Sequence, residues 1–223
     1  MLILAIDTSS AQCAACVFDT DRGRETGRHV LDLGKGHAEH LMAVIEAALG
    51  QAGTGYSALG RIAVSVGPGS FTGVRVGVAT ARGLALALKI PAIGISTLEA
   101  VAAESHADNT AKVLVAFESV GGALQAALYS PRGETLMAPA IIQADEAVRL
   151  AHEHSPTLAG TAARRIAEAS GLDLAIGSEL NTADIGIYAR LCATKGDDAE
   201  KPKPLYLREP DARPQAGFVL PRA

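Results

Sequence analysis

The chain has 223 residues, and its 24 acidic and 20 basic side chains give a formal net charge of −4. Hydrophobic residues make up 48% of the sequence and charged residues 20%, which supplies enough apolar material for a sizeable core and excludes a mainly disordered protein. The acidic balance argues against a protein that grips nucleic acid unaided, because phosphate contacts need clustered lysine and arginine.

The apolar N-terminal run Met1–Ile6 predicts a buried strand. No basic segment precedes it and it ends at Asp7, so it is too short for a signal peptide or a membrane span. The three cysteines are too few for a disulfide framework, and their odd number suits a reducing compartment. These features predict a cytoplasmic protein with no membrane segment.

Cys13 and Cys16 form a C-x-x-C motif within the second predicted strand. Side chains three residues apart on a strand point to opposite faces, whereas a redox or metal pair needs both on the same side. The motif therefore predicts two separate buried thiols.

The first half of the chain opens with three predicted strands, at 2–6, 13–19 and 26–33, an order typical of a β-meander. The hydrophobic spacing then changes to that of a helix from His37 to Gln51. The next predicted elements are a strand, a glycine loop, a helix rich in small residues, a strand and a helix, at 61–66, 67–70, 72–88, 91–95 and 97–105.

The order of strands before helices begins again after residues 107–110, the predicted hinge. Predicted strands lie at 113–117, 124–129, 138–142 and 157–159, and predicted helices at 145–153, 161–169 and 182–193. We therefore expect two similarly ordered α/β lobes, an N-terminal one over 1–106 and a C-terminal one over 107–223. Residues 202–223 hold five of the ten prolines and, apart from Pro204–Arg208, are expected to form an extended tail over a surface.

The segment Gly67–Gly73 has the spacing G-x-G-x-x-x-G, which matches neither the dinucleotide fingerprint nor the P-loop. A glycine loop before a helix capped by Ser70 or Thr72 could still hold an anion. The alternative is close packing of the following helix, since each mid-helix glycine costs about 1 kcal/mol relative to alanine. Close packing is favoured, because small residues recur every four positions, at Gly69, Gly73, Gly77, Ala81 and Ala85.

Two further groups of polar residues could form a site. Asp7, Thr8 and Ser9 close the first strand and either face a nucleotide or phosphate in a cleft or form a turn with hydrogen bonds to the backbone. His37 and His40 can share a helix face, but zinc needs three or four protein ligands, so no metal site is predicted. No serine lies in a G-x-S-x-G elbow, and no catalytic residue is predicted.

Together, these segments resemble the TsaB (YeaZ) family. The likeness covers the first 105 residues closely and returns near the C-terminus. It is carried by the segments Leu4–Ser9, His37–Leu41, Val66–Gly77, Gly83–Ala85, Ile95–Leu98 and Pro204–Arg208, with Pro91.

The resemblance implies a two-lobed α/β fold of the actin/sugar-kinase/Hsp70-like (ribonuclease H-like) class. It also implies a non-catalytic subunit that activates the homologous catalytic subunit TsaD, whose metal-binding histidine pair TsaB proteins lack. The two subunits pair through helices of the N-terminal lobe, and the ATPase TsaE joins them. The complex transfers a threonylcarbamoyl group to N6 of adenosine 37 in tRNAs that read codons beginning with A.

For this chain, the resemblance implies a TsaD homologue and a TsaE-type ATPase as partners, tRNA contact only through the complex, and a homodimer when alone. No cofactor is expected in this chain by itself, and ATP and metal are expected in the partner subunits. Leucine at Gly73 or Gly77 is expected to block pairing and leave the lobe folded. The implied partner-binding residues are His37, Glu39, His40, Leu41, Val44, Ile45, Ser70, Phe71, Thr72, Gly73, Val74, Gly77 and Ala81.

One segment, Phe117–Gln125, departs from the family pattern, because it lacks the arginine and the first tyrosine found there. An ATP-dependent small-molecule kinase of the same fold is the alternative function. It would need a second-lobe carboxylate and a glycine pair at phosphate, of which Thr157–Thr161 is a poor version. A peptidase is a third hypothesis, for which the sequence offers no nucleophile or metal set.

Overall fold

The computed structural model describes residues 1–105, 110–196 and 201–207. Its first half contains β1 (Leu2–Asp7), β2 (Gln12–Asp19), β3 (Arg24–Asp32), α1 (His37–Gln51), β4 (Leu59–Ser65), α2 (Phe71–Leu88), β5 (Ala92–Ile95) and α3 (Thr97–Ser105). Its second half contains β6 (Val113–Glu118), β7 (Leu124–Tyr129), β8 (Thr135–Ile142), α4 (Ala144–His154), β9 (Thr157–Ala159), α5 (Ala163–Ser170) and α6 (Ile185–Thr194).

The strands form two mixed sheets with matching topology. The first sheet has the order β3-β2-β1-β4-β5 and the second has the order β8-β7-β6-β9. In the first, β1 pairs antiparallel with β2 and parallel with β4, and in the second β6 pairs in the same two ways with β7 and β9. The prediction of two similarly ordered α/β lobes is confirmed.

Within the described residues, the two sheets and six α-helices stack in five layers. Helices α1 and α2 cover the outer face of the first sheet. Helices α3 and α6 lie between the sheets, where one core joins residues of both, such as Ile3 and Ile95 on one side and Val115 and Phe117 on the other. Helices α4 and α5 cover the outer face of the second sheet. The central strand β1 is apolar from Leu2 to Ile6 because both of its faces are covered.

Helix α6 follows the second sheet in the chain but packs against the first one. It begins after Asp184, whose side chain accepts a hydrogen bond from the Gly186 N–H at 2.9 Å. It ends near Arg61 of β4, which donates to the carbonyl oxygens of Cys192 and Lys195, both at 2.8 Å. Chain order therefore does not separate the two lobes cleanly, and the division at residues 106 and 107 stays a prediction.

The two thiols of the C-x-x-C motif lie on opposite faces of β2, as predicted. Cys13 belongs to the outer core beneath α1 and α2, and Cys16 belongs to the core between the sheets. Burial is the main cause that raises the pKa of both thiols, that of Cys13 to about 11. Neither is a reactive thiolate near neutral pH.

The predicted hinge and tail are only partly within the described residues. Residues 107–109 of the hinge lie outside them, as do Pro210, Pro214 and Pro221 of the tail. Residues 201–207, which we call the C-terminal strap, lie beside the first sheet, where the Leu205 N–H donates to the Val66 carbonyl oxygen at 2.8 Å. The extended tail stays a prediction, because most of its residues lie outside the described ones.

Candidate functional site

The carboxyl end of β1 carries a closed polar network. One carboxylate oxygen of Asp7 accepts hydrogen bonds from the Ser9 N–H at 2.8 Å and the Ser9 hydroxyl at 2.7 Å. The other accepts from the hydroxyl of Thr182 at 2.6 Å, and that hydroxyl also lies 2.7 Å from the hydroxyl of Tyr188. Asp7 is 2% exposed. Burial raises the pKa of Tyr188 well above its usual value, which keeps the phenol neutral.

This network corrects the interpretation of Asp7, Thr8 and Ser9 as residues facing a nucleotide or phosphate. All three are buried, and both oxygens of Asp7 already accept hydrogen bonds from the chain itself. The Thr8 hydroxyl donates to the carbonyl oxygen of Gly73 at 2.7 Å, which ties the strand to α2. The alternative weighed for these residues, a turn held by hydrogen bonds, describes the structure.

The equivalent strand end in the second sheet carries an exposed ion pair. Glu118 ends β6 as Asp7 ends β1, and its carboxylate pairs with Arg165, with Nε to Oε1 at 2.8 Å and Nη2 to Oε2 at 2.9 Å. The Glu118 N–H donates to the hydroxyl of Thr161 at 2.8 Å. A phosphate-binding kinase site would need open groups at these strand ends, and both carboxylates are engaged within the chain.

The regularly spaced glycines of α2, and Gly69 just before it, face inward. A β-carbon at Gly73 would collide with the carbonyl oxygen of Thr8, and one at Gly69 with that of Ser9. A β-carbon at Gly77 would lie 2.5 Å from the Thr8 hydroxyl oxygen. The predicted close contact is thus a contact with β1 of the same chain. Four predicted partner-binding residues, Gly73, Val74, Gly77 and Ala81, are buried here and offer no surface to a partner.

The same correction applies to the buried side of α1. Leu41, Val44 and Ile45 are at most 1% exposed and belong to the outer core. His37 is also buried, with its Nε2 atom 3.0 Å from the carbonyl oxygen of Ser10. The periodic apolar residues of an amphipathic helix mark the face that turns inward. No group of three or more histidine, cysteine or acidic residues suited to a metal occurs within the described parts of the chain.

The other predicted partner-binding residues lie on the surface. Glu39 and His40 on α1 are exposed, as are Ser70, Phe71 and Thr72 at the start of α2. The exposed surface of the two helices also includes residues that the sequence analysis did not single out. We call this surface the α1–α2 face, and its principal members are Glu39, His40, Met42, Phe71, Thr72, Arg75, Ala79, Arg82, Gly83 and Leu86.

The α1–α2 face exposes three large apolar side chains. Phe71 is 50% exposed, Leu86 is 82% exposed and Met42 is 43% exposed. Helix α2 has 18 residues, no acidic residue and a mean hydropathy of 1.2, yet only 28% of it is buried. By length and composition it could cross a membrane, but core helices pass the same test, and α2 packs against β1 and β4. A single helix of this kind is weak evidence for a membrane span.

The C-terminal strap completes one end of the α1–α2 face. The Tyr206 ring lies 5.6 Å from the Phe71 ring, and its hydroxyl accepts a hydrogen bond from Nε of Arg75 at 2.6 Å. The guanidinium of Arg75 lies 3.7 Å above the centre of the Phe71 ring. Sequence reasoning missed Arg75 and Tyr206 as candidates, although both lie in segments that carry the family resemblance.

Comparisons with known proteins agree on one family. Residues 32–199, more than half of the chain, match the family model described as "TsaD: tRNA N6-adenosine threonylcarbamoyltransferase". The protein of Escherichia coli named "tRNA threonylcarbamoyladenosine biosynthesis protein TsaB" is 34% identical over 58% of this chain and 55% of its own length. The protein of the same name from Haemophilus influenzae is 36% identical over 52% of this chain and 48% of its own length. The chain thus spans about half the length of these curated relatives.

Two longer matches cover nearly the whole chain. An uncharacterised protein of Mycobacterium tuberculosis is 31% identical over 96% of this chain and 95% of its own length. The solved structure titled "YeaZ from Pseudomonas aeruginosa" has a TM-score of 0.74 and 26% identity, and covers 92% of this chain and 99% of that one. This match and the repeated strand order confirm the predicted two-lobed α/β fold of the actin/sugar-kinase/Hsp70-like class.

Proposed function

Because this chain belongs to the TsaB (YeaZ) family, within the wider TsaD family, we propose that it acts in the biosynthesis of threonylcarbamoyladenosine in tRNA. Its role is that of a non-catalytic subunit, which pairs with a TsaD homologue and activates it. The transfer of the threonylcarbamoyl group to N6 of adenosine 37 then takes place on the TsaD homologue. A TsaE-type ATPase joins the pair, and tRNA meets this chain only within the complex.

The observation that carries this proposal is the exposed apolar side of α2. A helix that leaves Phe71 and Leu86 half to four-fifths uncovered, with no acidic residue along 18 positions, is costly in water unless another surface covers it. Exposed apolar patches rimmed by polar residues mark sites of protein association. The α1–α2 face is therefore the surface that we assign to the TsaD homologue, through Glu39, His40, Ser70, Phe71 and Thr72 among the residues predicted from the sequence.

The hydrogen bonds and ion pairs that engage the carboxylates at the strand ends support a subunit without chemistry of its own. Asp7 and Glu118 are the carboxylates best placed for catalysis at the ends of β1 and β6, and both are held by neighbours in the chain. This disfavours the alternative of an ATP-dependent small-molecule kinase. ATP and the metal ion are accordingly assigned to the partner subunits.

Reconstitution tests the proposal directly. The chain, the TsaD homologue and the TsaE-type ATPase of the same organism are purified, and threonylcarbamoyladenosine in tRNA is measured by mass spectrometry of digested nucleosides. We expect modification with all three proteins and the threonylcarbamoyl-adenylate, and none when this chain is left out. Full modification without it, or activity of this chain alone, would contradict the proposal.

The assembly state is measured alongside. Light scattering after size-exclusion chromatography is expected to show a homodimer of the free chain, which gives way to a heterodimer when the TsaD homologue is added. Two unchanged peaks would contradict the pairing.

A further inference from the structure

Arg75 is an exposed arginine whose position is fixed from two sides. Its guanidinium lies over the Phe71 ring at 3.7 Å and 5.4 Å from the centre of the Tyr206 ring. Its Nε atom donates to the Tyr206 hydroxyl, which leaves the two terminal nitrogens directed away from that bond. Within the described residues no carboxylate forms an ion pair with it. The side chain is held in place by the two aromatic rings and the Tyr206 hydroxyl, and its terminal nitrogens are donors that suit a carboxylate.

The C-terminal strap holds Tyr206 against α2 through contacts of the residues that precede and follow it. The Leu205 N–H donates to the carbonyl oxygen of Val66, and Leu207 packs against the core between the two sheets. Pro202 lies close to Gly94 of β5, at 3.4 Å from where a β-carbon would stand. Tyr206 is therefore held in a fixed position beside Phe71, although it is itself 48% exposed.

This arrangement has the composition of an interface anchor. Tyrosine and arginine are enriched among the residues that dominate binding energy. An arginine already stacked and hydrogen-bonded loses less conformational entropy when a partner arrives than a free one does. Both charged residues of α2, Arg75 and Arg82, are basic. A surface complementary to this helix is therefore apolar and carries acidic side chains.

We propose that Phe71, Arg75 and Tyr206 form a preformed receptor for a carboxylate side chain of the docking partner, and that the C-terminal strap is part of the docking surface. The partner is an apolar helix surface with an aspartate or glutamate opposite Arg75. The inference rests on the proposed function, since that partner is the TsaD homologue. It assigns to the strap a binding role that the pairing of helices alone does not include.

The test measures the affinity of full-length variants for the TsaD homologue by titration calorimetry. Arg75→Ala is expected to weaken binding by at least about tenfold. Arg75→Lys retains the charge but lacks the planar fork, and we expect a loss of about fivefold. Tyr206→Phe removes only the hydroxyl that accepts from Nε, and we expect a loss of about threefold. Arg149→Ala, on α4 at the other side of the molecule, is the matched control and should bind as the wild type does.

Salt dependence separates the charge from the apolar contact. Raising the ionic strength should weaken wild-type binding, and Arg75→Ala should lose a large part of that dependence because the screened pair is gone. Phe71→Ala should bind weakly yet keep the dependence. Each variant is expected to unfold within about 2 °C of the wild type, as is usual for exposed positions.

The outcomes are distinguishable. If the wild type fails to bind the TsaD homologue, the proposed function and this inference both fall. If the wild type binds and Arg75→Ala binds equally well, only the inference is overturned. If Arg75→Ala weakens the homodimer and leaves the heterodimer unchanged, the occupant is a second copy of this chain, and the assigned partner is wrong.

Discussion

Gly73 has no room for a side chain, because a β-carbon there would collide with the carbonyl oxygen of Thr8. The Thr8 hydroxyl also donates to the Gly73 carbonyl at 2.7 Å, so strand and helix meet through backbone atoms on both sides. The glycine is needed for this contact within the chain. Its effect on a partner is therefore indirect, through the position of α2.

We predict that Gly73→Ala destabilises the protein by about 1–3 kcal/mol, because the added methyl group forces α2 away from β1. Gly83→Ala is the matched control on the same helix, since nothing lies within 4 Å of its β-carbon position. It should be neutral or stabilising by up to about 1 kcal/mol, the gain in helix propensity. Urea unfolding of both variants measures the difference. Equal stability of the two would mean that the contact between Gly73 and Thr8 is looser than the structure has it.

The positions of several elements could be predicted from periodicity alone. The apolar spacing of Leu41, Val44, Ile45, Ala48 and Leu49 predicts a helix from His37 to Gln51, and α1 has those bounds. The same spacing also marks the buried face of that helix. The apolar spacing that predicts the helix also predicts which of its residues are buried. Leu41, Val44 and Ile45 therefore belong to the core and not to the surface.

Other features depend on contacts that local sequence does not encode. Strand β8 begins at Thr135, three residues before the predicted start. The sequence does not indicate this start because the first residues of the strand are exposed and lack an alternating pattern. The packing of α6 on the first sheet depends on Arg61, which is 131 residues away from Cys192. Tyr206 reaches Phe71 because the strap runs past Gly94 and Val66 of the N-terminal half. Long-range hydrogen bonds of this kind carry no periodic signal.

The start of α6 is fixed by an ion-pair network at the surface. Arg28 of β3 donates to both carboxylate oxygens of Asp184 at 2.7 Å and also pairs with Glu25 at 2.7 Å. The Arg28 hydrogen bonds are the main cause that lowers the pKa of Asp184 below its usual value. A lowered pKa in the folded state means that the folded protein binds this proton less readily than the unfolded chain does.

We predict that Asp184→Asn lowers stability at pH 7 and not in acid. The contribution of the charged form is complete above the unfolded pKa of about 4 and is lost as the pH falls through the folded value. Because Arg28 and Asp184 are 39% and 41% exposed, solvent screening limits the effect to about 1 kcal/mol or less. Asparagine keeps the cap of α6, so the comparison isolates the charge. Unfolding curves of both proteins from pH 7 to pH 3 should converge. A constant difference would indicate a role other than charge.

The molecule as a whole is built around a layered core. The core between the sheets draws on both halves of the sequence, so the two lobes share α3 and α6. The α1–α2 face lies on the outer side of the first sheet, and the closed network of Asp7, Thr182 and Tyr188 lies at the end of β1. The packing of the first sheet can thus serve association, while the carboxylates at the ends of β1 and β6 are bonded to the chain's own side chains.

The hydroxyl of Thr182 is the link in that network between the N-terminal strand and the C-terminal third of the chain. It contacts Asp7 at 2.6 Å and Tyr188 at 2.7 Å, and all three residues are at most 6% exposed. Thr182→Val keeps the shape of the side chain and removes the hydroxyl, which leaves one oxygen of Asp7 and the phenol without this partner. An unsatisfied buried polar group costs about 1–3 kcal/mol.

We therefore predict that Thr182→Val destabilises the protein by about 1–3 kcal/mol and leaves its affinity for the TsaD homologue unchanged, because Thr182 is buried and is part of neither the α1–α2 face nor the strap. Tyr188→Phe is the second variant, and the double variant should cost less than the sum of the two, since both remove parts of one network. Urea unfolding and titration calorimetry measure the two properties separately. Additive costs would show that the three side chains do not act as one unit, and a nucleotide that stabilises Thr182→Val but not the wild type would show that the hydroxyl had been closing a binding site.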